Sequence, residues 1–486
     1  MESALLRKYS QVFQSNRLGA KACELYAQRR RALLENLSSL CVFAGVDRFP
    51  GGEEVWSYSY DRHIQDPAFL YLTGVNQPGA FLALDPQASD PDAREVLFLP
   101  AKQSDREFWD GAMLGLAEDA GESLAEMQVL TGFATILPAR LFWNWVRERL
   151  PKLHRDHVFA FWHEYLDPLS HKLRQTKTDH NWVLHTKLQK VMQRVAPQME
   201  LRSVAPLHMH LRIPLDKARV AMAKIAQVWT RDAFISTLKE FDSFENEREV
   251  AAFIEREMRK NGDDGLAFPT IVACANNACT LHYVKSDEPL IEGRLLLLDF
   301  GVRCGSLCSD ISRTIPVGGR FNPLQRLLYE IVLDTQRNHQ ANVKPGRTLR
   351  ELNLQAWDYL EELLRVRFLS KGGHMRREYP RKLVGAVNPN QPLSKGPHGI
   401  SHLIGEQVHE GDPFRTYQDH PLRPGMMISN EPGLYGHFVA EIGGERYEET
   451  IGIRIEDDLL VTAKGCLNLS QGIPKDPAEL ELLLQH

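Results

Sequence analysis

The residues best suited to chemistry lie between positions 299 and 456, in five short stretches that each contain one metal-ligand side chain. The stretches are LLLLDFG with Asp299, CSDISRT with Asp310, HGISHLIG with His402, SNEPGLY with Glu431 and GIRIEDD with Glu456. Four carboxylates and one imidazole in one place would carry a charge near minus four, which is strongly unfavourable away from water unless cations neutralise it. Oxygen ligands with one imidazole suit hard or borderline divalent ions, Mn²⁺ foremost. The sequence therefore predicts a hydrolase with two metal ions.

Asp299 and Asp310 are eleven residues apart, on either side of a turn around Cys304-Gly305-Ser306. An antiparallel hairpin of that length would place both carboxylates side by side on one face. A single buried aspartate is more often a hydrogen-bonded turn residue. The pair inside LLLLDFG and SDISRT is therefore what indicates a metal site.

Three histidines, His398, His402 and His409, form the pattern H-x3-H-x6-H. No glutamate follows His398, as the zinc-protease motif H-E-x-x-H requires, and Gly399 and Gly405 disfavour a regular helix here. We expect one of these histidines to bind metal and the others to face the substrate.

The two glutamates lie in different local patterns. Glu431 is in an N-E-P-G turn, whereas Arg454 and Glu456 alternate with Ile453 and Ile455, as on one face of a strand. The planar guanidinium of Arg454 would then orient a carboxylate ligand or a substrate group. A plain surface strand is the alternative for GIRIEDD.

The composition limits the class of protein. At 486 residues the chain is long enough for two or three domains, and its 43% hydrophobic and 25% charged residues are typical of soluble proteins. The net charge of −5 argues against nucleic-acid binding, and no apolar run predicts a membrane span. The N-terminus lacks the apolar segment of a secretory signal, and seven scattered cysteines favour a reducing compartment, so a cytoplasmic location is expected.

Helical and strand patterns alternate over the first 200 residues, which predicts an α/β domain. FLYLTGV, FLALDP and EVLFLPAK are strand candidates, and the proline-containing segment at 205–213 is the best domain boundary. Further on, Asp242 with Glu245, Asn322 before Pro323, and Thr348 with Glu351 predict helix starts. The four leucines 295–298 predict a strand buried on both faces.

Together these stretches resemble the metal-dependent pita-bread-fold peptidases, in the aminopeptidase P and prolidase branch. YDRHIQDPAFLYLTGVNQPGAFLALDP and EVLFLPAKQSDREFWDGAMLG resemble the N-terminal domain of that branch, and FPTIVACANNACTLHYV through RIEDDLLVT resembles its catalytic domain. The resemblance implies an α/β (α+β) protein with an N-terminal α/β domain at 1–207. A pita-bread catalytic domain with a curved antiparallel sheet would follow at 208–486. It also implies five metal ligands: Asp299, Asp310, His402, Glu431 and Glu456.

The resemblance implies an Xaa-Pro aminopeptidase, which removes the N-terminal residue from peptides with proline in second position. Two divalent ions, Mn²⁺ or otherwise Zn²⁺ or Co²⁺, would bridge a hydroxide that attacks the peptide carbonyl. Glu431 would act as general base and His409 would stabilise the oxyanion, while His282 (in TLHYV) and His398 would hold the substrate or the leaving nitrogen. Relatives of this kind are commonly dimers or tetramers, so a homo-oligomer is expected.

Three alternatives stay open at this point: a prolidase, a methionine aminopeptidase, or a catalytically silent pita-bread module that binds proteins. A prolidase needs a cation for the free carboxylate of proline, and Arg454, the cation of the GIRIEDD stretch, could be occupied by its acidic neighbours at 456–458. The chain also departs from the family pattern at Ser401, Glu406-Gln407 and Glu410, which would alter the pocket near His402 and His409.

Overall fold

A computed structural model of the chain describes residues 2–10, 12–13, 22–46, 65–102, 107–108, 111–116, 121–162, 180–261, 265–376, 396–411 and 416–485. Parts of the quoted N-terminal stretches, residues 60–64, 103–106 and 109–110, lie outside these ranges. The contacts divide the chain into two compact units, Met1–Arg212 and Ile213–His486. The boundary predicted after residue 207 falls within the helix Ala205–Arg212. Whether either unit is an independent domain stays a prediction.

The first unit combines helices with one mixed six-stranded sheet in the order β4-β3-β2-β1-β5-β6. Its helices are α1 (Glu2–Lys8), α2 (Ala22–Leu34), α3 (Pro67–Thr73), α4 (Gly121–Thr131), α5 (Phe142–Arg149), α6 (His180–Val195) and α7 (Ala205–Arg212). Its strands are β1 (Cys41–Ala44), β2 (Phe81–Leu84), β3 (Glu95–Leu99), β4 (Thr135–Pro138), β5 (His157–Ala160) and β6 (Glu200–Ser203). Apolar side chains from two faces of the sheet form two buried clusters.

The strand predictions for FLALDP and EVLFLPAK are confirmed, but the prediction for FLYLTGV is wrong. This stretch is the helix α3, capped by Asp66, whose side chain accepts the backbone N–H groups of Ala68 and Phe69. Pro67 occupies the first turn and Gly74 ends the helix with a left-handed φ of 71°. The apolar run is buried nearly all round, so its periodicity could not distinguish a helix from a strand.

The second unit contains helices packed on antiparallel sheets. Its helices are α8 (Lys217–Lys239), α9 (Glu247–Asn261), α10 (Pro323–Asn342), α11 (Leu349–Arg367) and α12 (Pro477–Leu483). Its strands are β7 (Ile271–Cys274), β8 (Leu295–Phe300), β9 (Arg303–Cys304), β10 (Leu307–Cys308), β11 (Ile311–Pro316), β12 (His374–Arg376), β13 (Leu403–Ile404), β14 (Met427–Asn430), β15 (Gly433–Ile442), β16 (Glu445–Arg454), β17 (Asp457–Val461) and β18 (Cys466–Asn468). The sheets have the orders β11-β8-β7, β12-β15-β16 and β13-β14-β17-β18, and β9 pairs with β10.

Two of the three predicted helix starts in this unit are confirmed. Complete capping boxes begin α10 at Asn322 and α11 at Thr348. The predicted box at Asp242 and Glu245 is wrong, because Asp242 lies in a short 3-10 turn after α8. Instead, the side chain of Asn246 accepts the backbone N–H of Glu249 at 3.1 Å, and the Glu249 carboxylate accepts the N–H of Glu245 at 2.7 Å.

Two neighbouring connections carry the chain between the sheets of this unit. Residues 431–432 lead from β14 to β15, and residues 455–456 lead from β16 to β17. The two connections are joined by the N–H of Ile455, which donates to the carbonyl of Pro432 at 3.3 Å. The predicted buried strand 295–298 is confirmed in β8, every residue of which is buried. Glu431 lies in the connection from β14 to β15, and Glu456 lies in the connection from β16 to β17.

Among the described residues, no helix combines the length and the apolar character that crossing a bilayer would need.

Candidate metal centre

Asp299 and Asp310 meet on one face of the β8–β11 pair. The strand register places Ser312 opposite Asp299, and Asp310 precedes Ser312 by two residues. Positions two apart on a strand share a face, so Asp310 lies diagonally across from Asp299. The hairpin is less simple than its length suggests, because β9 and β10 form a separate two-stranded ribbon between the two aspartates.

His402 reaches the same place from the residue before β13. Its Nδ1 lies 3.1 Å from the carbonyl oxygen of Leu403, which can only accept, so Nδ1 carries the proton. Its Nε2 lies 3.4 Å from Asp310 Oδ2 and 3.3 Å from Glu431 Oε1. This tautomer directs a ring lone pair at the carboxylates, as in metal-binding histidines whose other nitrogen is held by a carbonyl.

Asp310, His402 and Glu456 each offer a ligand atom within 4.8 Å of the others. Glu431 joins them through its contact with His402, and Asp299 through the β8–β11 pair. Burial, followed by repulsion from the other carboxylates, raises the pKa of Glu456 well above its usual range. The pKa of Asp310 is also raised well above its ordinary value, by burial and then by Asp299. Burial raises the pKa of Glu431 to about 7.

Two oxygens of this cluster lack a hydrogen-bond partner within the described part of the chain. They are Oδ1 of Asp299 and Oε1 of Glu456, both buried. A buried carboxylate oxygen without a donor is costly unless a cation binds it. The unsatisfied oxygens, the raised pKa values and the tautomer of His402 all fit divalent metal ions held among these side chains.

Arg454 is a buried cation that bonds directly to one carboxylate of this cluster, as its planar guanidinium led us to expect. Its Nη2 donates to Asp299 Oδ2 at 2.6 Å, its Nε to Ser312 Oγ at 2.8 Å and its Nη1 to the hydroxyl of Tyr435 at 3.2 Å. The Ser312 hydroxyl in turn donates to Glu456 Oε2 at 2.7 Å. Arg454 and Glu456 therefore face the same side, as their alternation predicted.

The acidic residues after Glu456 have partners of their own. Asp457 pairs with the buried Arg313 and with Lys475. The carboxylate of Asp458 accepts from Gln227 and from the backbone N–H of Asp310. The expectation that residues 457 and 458 could occupy Arg454 is therefore wrong, because the carboxylates of both residues bond to other groups.

The remaining predicted histidines lie around the cluster. His398 Nε2 is 3.0 Å from the Tyr435 hydroxyl, and its Nδ1 is 3.7 Å from Glu431 Oε2. Burial, then the nearby charge of Arg454, lowers the pKa of His398 to about 4, so the ring is neutral at physiological pH. The ring of His409 is exposed and meets that of His402 edge to face, with centroids 4.5 Å apart. His282 is exposed and lies close enough to His398 to contribute to that lowered pKa.

Sequence reasoning did not single out Ser312 or Tyr435 as members of the site. For Ser312 the signal was present, since it follows Asp310 by two residues in SDISRT and must share its face. No spacing rule identified Tyr435, whose hydroxyl links His398 to Arg454.

Of the departures near His402, Ser401, Glu406 and Glu410 have buried side chains, whereas Gln407 is exposed. The Ser401 hydroxyl bonds to His339 Nε2 at 3.1 Å, and Glu410 accepts the backbone N–H of Gly411 at 3.1 Å. Glu406 accepts from the guanidinium of Arg219 at 2.6 Å, with both side chains almost fully buried. Glu406 thus has its side chain inside the protein.

Two known protein families match this chain, one in each of its two units. Residues 218–463 match the metallopeptidase family M24, and residues 26–141 match the N-terminal domain of aminopeptidase P.

Individual relatives agree with these family matches. The chain is 31% identical over 428 residues to Xaa-Pro aminopeptidase 3 from Homo sapiens, covering 86% of this chain and 76% of that protein. It is 27% identical to the Xaa-Pro aminopeptidase of Escherichia coli, covering 94% and 97%. The solved structure of Pseudomonas aeruginosa aminopeptidase PepP superposes with a TM-score of 0.73 at 26% identity, covering 95% and 98%. The fold is therefore the pita-bread fold preceded by an aminopeptidase-P-type N-terminal domain, as the sequence predicted.

Proposed function

The chain belongs to metallopeptidase family M24, and from this premise we propose that it is an Xaa-Pro aminopeptidase. The enzyme would release the N-terminal residue from peptides whose second residue is proline. The main support is the cluster of four carboxylates and His402, in which two buried carboxylate oxygens have no hydrogen-bond partner among the described residues. The chain that contains this cluster aligns with an Xaa-Pro aminopeptidase over 86% of its length. The matched N-terminal domain favours this activity over methionine aminopeptidase, and the complete cluster favours it over a silent binding module.

We assign the metal ligands to Asp299, Asp310, His402, Glu431 and Glu456. The orphaned Oδ1 of Asp299 and Oε1 of Glu456 would each bind a cation, and the Nε2 lone pair of His402 supplies the nitrogen ligand. Oxygen donors with one imidazole favour Mn²⁺, with Zn²⁺ or Co²⁺ as alternatives. When bound, two divalent ions supply Lewis acidity that makes water nucleophilic near neutral pH and polarises the peptide carbonyl.

The protein groups would move the protons. Glu431, whose pKa burial raises to about 7, is suited to accept a proton from the attacking water. The exposed imidazole of His409, beside His402, would donate to the developing oxyanion. His398, neutral and oriented by Tyr435, and His282 would hold the substrate or the leaving imino nitrogen. Arg454 would orient Asp299 and, through Ser312, Glu456.

The environment of Arg454 also favours an aminopeptidase over a prolidase. A prolidase binds the free carboxylate of a C-terminal proline, normally through a cation near the leaving-side pocket. Arg454 is 4% exposed and already donates to Asp299, Ser312 and Tyr435, so its guanidinium is committed to the protein.

Hydrolysis of three matched substrates tests this choice: an Xaa-Pro dipeptide, the Xaa-Pro-Yaa tripeptide and its C-terminal amide, with Xaa-Ala-Yaa as control. We expect both tripeptides to release the N-terminal residue at similar kcat/KM and the alanine peptide to be a poor substrate. Rapid cleavage of the dipeptide alone would identify a prolidase. Equal cleavage of the alanine peptide would rule out proline specificity.

We also propose a cytoplasmic location and a homo-oligomeric state. The seven cysteines are thiols, with no disulfide between described residues, which fits the cytoplasm. A homo-oligomer, dimer or tetramer, is proposed from the family resemblance, with peptides and neither nucleic acid nor membrane as partners. Cell fractionation and light scattering of the purified protein test these two proposals.

A further inference from the structure

The carboxylate of Glu247, the first residue of α9, is buried and accepts four hydrogen bonds. Oε1 accepts from the backbone N–H of Cys274 at 2.7 Å and from the side-chain amide of Asn277 at 3.0 Å. Oε2 accepts from the hydroxyl of Tyr283 at 2.9 Å and from the N–H of Glu288 at 3.1 Å. Four donors fill the capacity of an ionised carboxylate, and all four come from one stretch of chain, residues 274–288, here called the His282 segment.

The His282 segment has little regular structure to hold it in shape. After the 3-10 turn Ala275–Cys279 it continues without helix or strand through His282 to residue 288. Ala275 and Ser286 have positive φ values of 53° and 45°, a region that side chains disfavour. Such conformations persist only where the surroundings hold them. The Glu247 carboxylate bonds to Cys274, the residue before Ala275, and to Glu288, two residues after Ser286, so it holds the segment close to both positions.

The segment also packs on the candidate metal centre. Ala278 belongs to a buried apolar cluster with Tyr435, against which Leu281 and Tyr283 pack. A Cβ on Gly452 would lie only 2.4 Å from the carbonyl oxygen of Ala278, so the segment rests directly on the backbone of β16. The side chain of His282, between the two packed residues, is left exposed.

We propose that Glu247 is a positioning residue for substrate binding, because its carboxylate ties both ends of the His282 segment together and thereby places the His282 imidazole beside His398. The proposal rests on the proposed function, in which His282 contacts the peptide. Glu247 itself is far from solvent and acts only through the segment.

The test is a double-mutant cycle with Glu247→Gln and His282→Ala, read as kcat and KM on an Xaa-Pro-Yaa peptide. The amide of the Gln variant keeps the shape but turns donors toward the Tyr283 hydroxyl and the Glu288 N–H. We expect a loss of about 10- to 100-fold in kcat/KM, mainly through KM, because a small displacement of a substrate-positioning group is costly. In the His282→Ala background the same substitution should have little further effect. Tyr283→Phe, which removes one of the four bonds, should shift KM less and in the same direction.

Glu481→Gln is the matched control, since this carboxylate accepts the N–H of Phe321 and lies outside the segment. It should leave kcat and KM unchanged. Hydrogen–deuterium exchange adds a readout that does not need activity: Glu247→Gln should increase exchange in residues 275–288 and Glu481→Gln should not. If Glu247→Gln does not fold, Tyr283→Phe serves in the same cycle. Losses that multiply in the double variant, or unchanged exchange in the segment, would overturn the proposal. Absence of Xaa-Pro cleavage by the wild type would instead overturn the proposed function.

Discussion

The guanidinium of Arg454 donates to Asp299 Oδ2 at 2.6 Å, while Oδ1 of the same carboxylate has no partner among the described residues. One oxygen of Asp299 is thus held by the protein and the other is left for a cation. Arg454 also holds Glu456, but indirectly: its Nε donates to the Ser312 hydroxyl, which donates to Glu456 Oε2. A single buried cation therefore orients two proposed ligands.

The first prediction concerns this orientation. Arg454→Met should weaken metal binding by about 10- to 100-fold, the usual cost of losing a residue that orients ligands. Arg454→Lys should recover little of it, because an ammonium cannot reach Asp299, Ser312 and Tyr435 together. Calorimetric titration of the apo protein with Mn²⁺ measures the change. Tyr435→Phe keeps the bond to Asp299 and serves as control; equal losses in both variants would contradict the assignment.

The second prediction is that Asp310→Ala lowers the bound metal by one ion or both and abolishes hydrolysis. Asp310 is buried and lies beside His402 and Glu456, so replacing it with alanine removes a central ligand oxygen from the cluster. Elemental analysis of purified protein gives the metal content, with Asp232→Asn, an exposed carboxylate paired with its neighbour Arg231, as control. Chelated wild-type protein should be inactive and Mn²⁺ should restore it at least as well as Zn²⁺. Full activity without metal would refute the mechanism.

The third prediction is a pH dependence of stability in the metal-free protein. The pKa of Glu431 is about 7 in the folded chain and near 4.5 in the unfolded chain. Between pH 4.5 and 7 the Glu431 carboxyl group is therefore mostly protonated in the folded chain and mostly ionised in the unfolded chain. Folding stability from this group therefore falls as pH rises from 4.5 to 7, by about 1.4 kcal/mol per pH unit. Denaturant unfolding with a chelator, compared with Glu431→Gln, isolates this contribution. Saturating Mn²⁺ should remove the decline; a difference between the variants that does not change with pH would contradict it.

The fourth prediction concerns the buried ion pair of Arg219 and Glu406. Glu406→Leu leaves the Arg219 guanidinium buried without this carboxylate and should lower the free energy of unfolding by about 3–5 kcal/mol. Arg219→Met with Glu406→Leu should recover most of the loss, because packed apolar groups replace both charges. Equilibrium denaturation measures each variant.

The more exposed pair of Arg350 and Asp419 is the control for that experiment, and Asp419→Ala should cost at most about 1 kcal/mol. If the double variant is no more stable than Glu406→Leu alone, the two side chains do not stabilise the fold as a pair.

Much of the local structure could be predicted because neighbours in sequence decide it. The helix starts at Asn322 and Thr348 each depend on a cap and a side chain three residues on. The failures arose where the local signal was ambiguous. The run at 69–75 is apolar on every side, so burial hid its helical period, and the caps at Asp66 and Gly74 decided it. Near Asp242, the acidic stretch offers several capping residues, and the packing of the chain selects Asn246.

The side chains that could bind metal are recognisable in the amino-acid sequence, because the types and order of Asp299, Asp310, His402, Glu431 and Glu456 can be read there directly. Tertiary structure decided which groups hold them. Arg454 bonds to Asp299 across 155 residues, Glu406 to Arg219 across 187, and Glu247 to the segment that carries His282. Each acidic side chain had several cations or donors available along the chain. Burial removes the acidic side chain from water, so it needs a hydrogen-bond donor inside the protein. The donor that lies within reach depends on how sheets and helices far apart in sequence pack together.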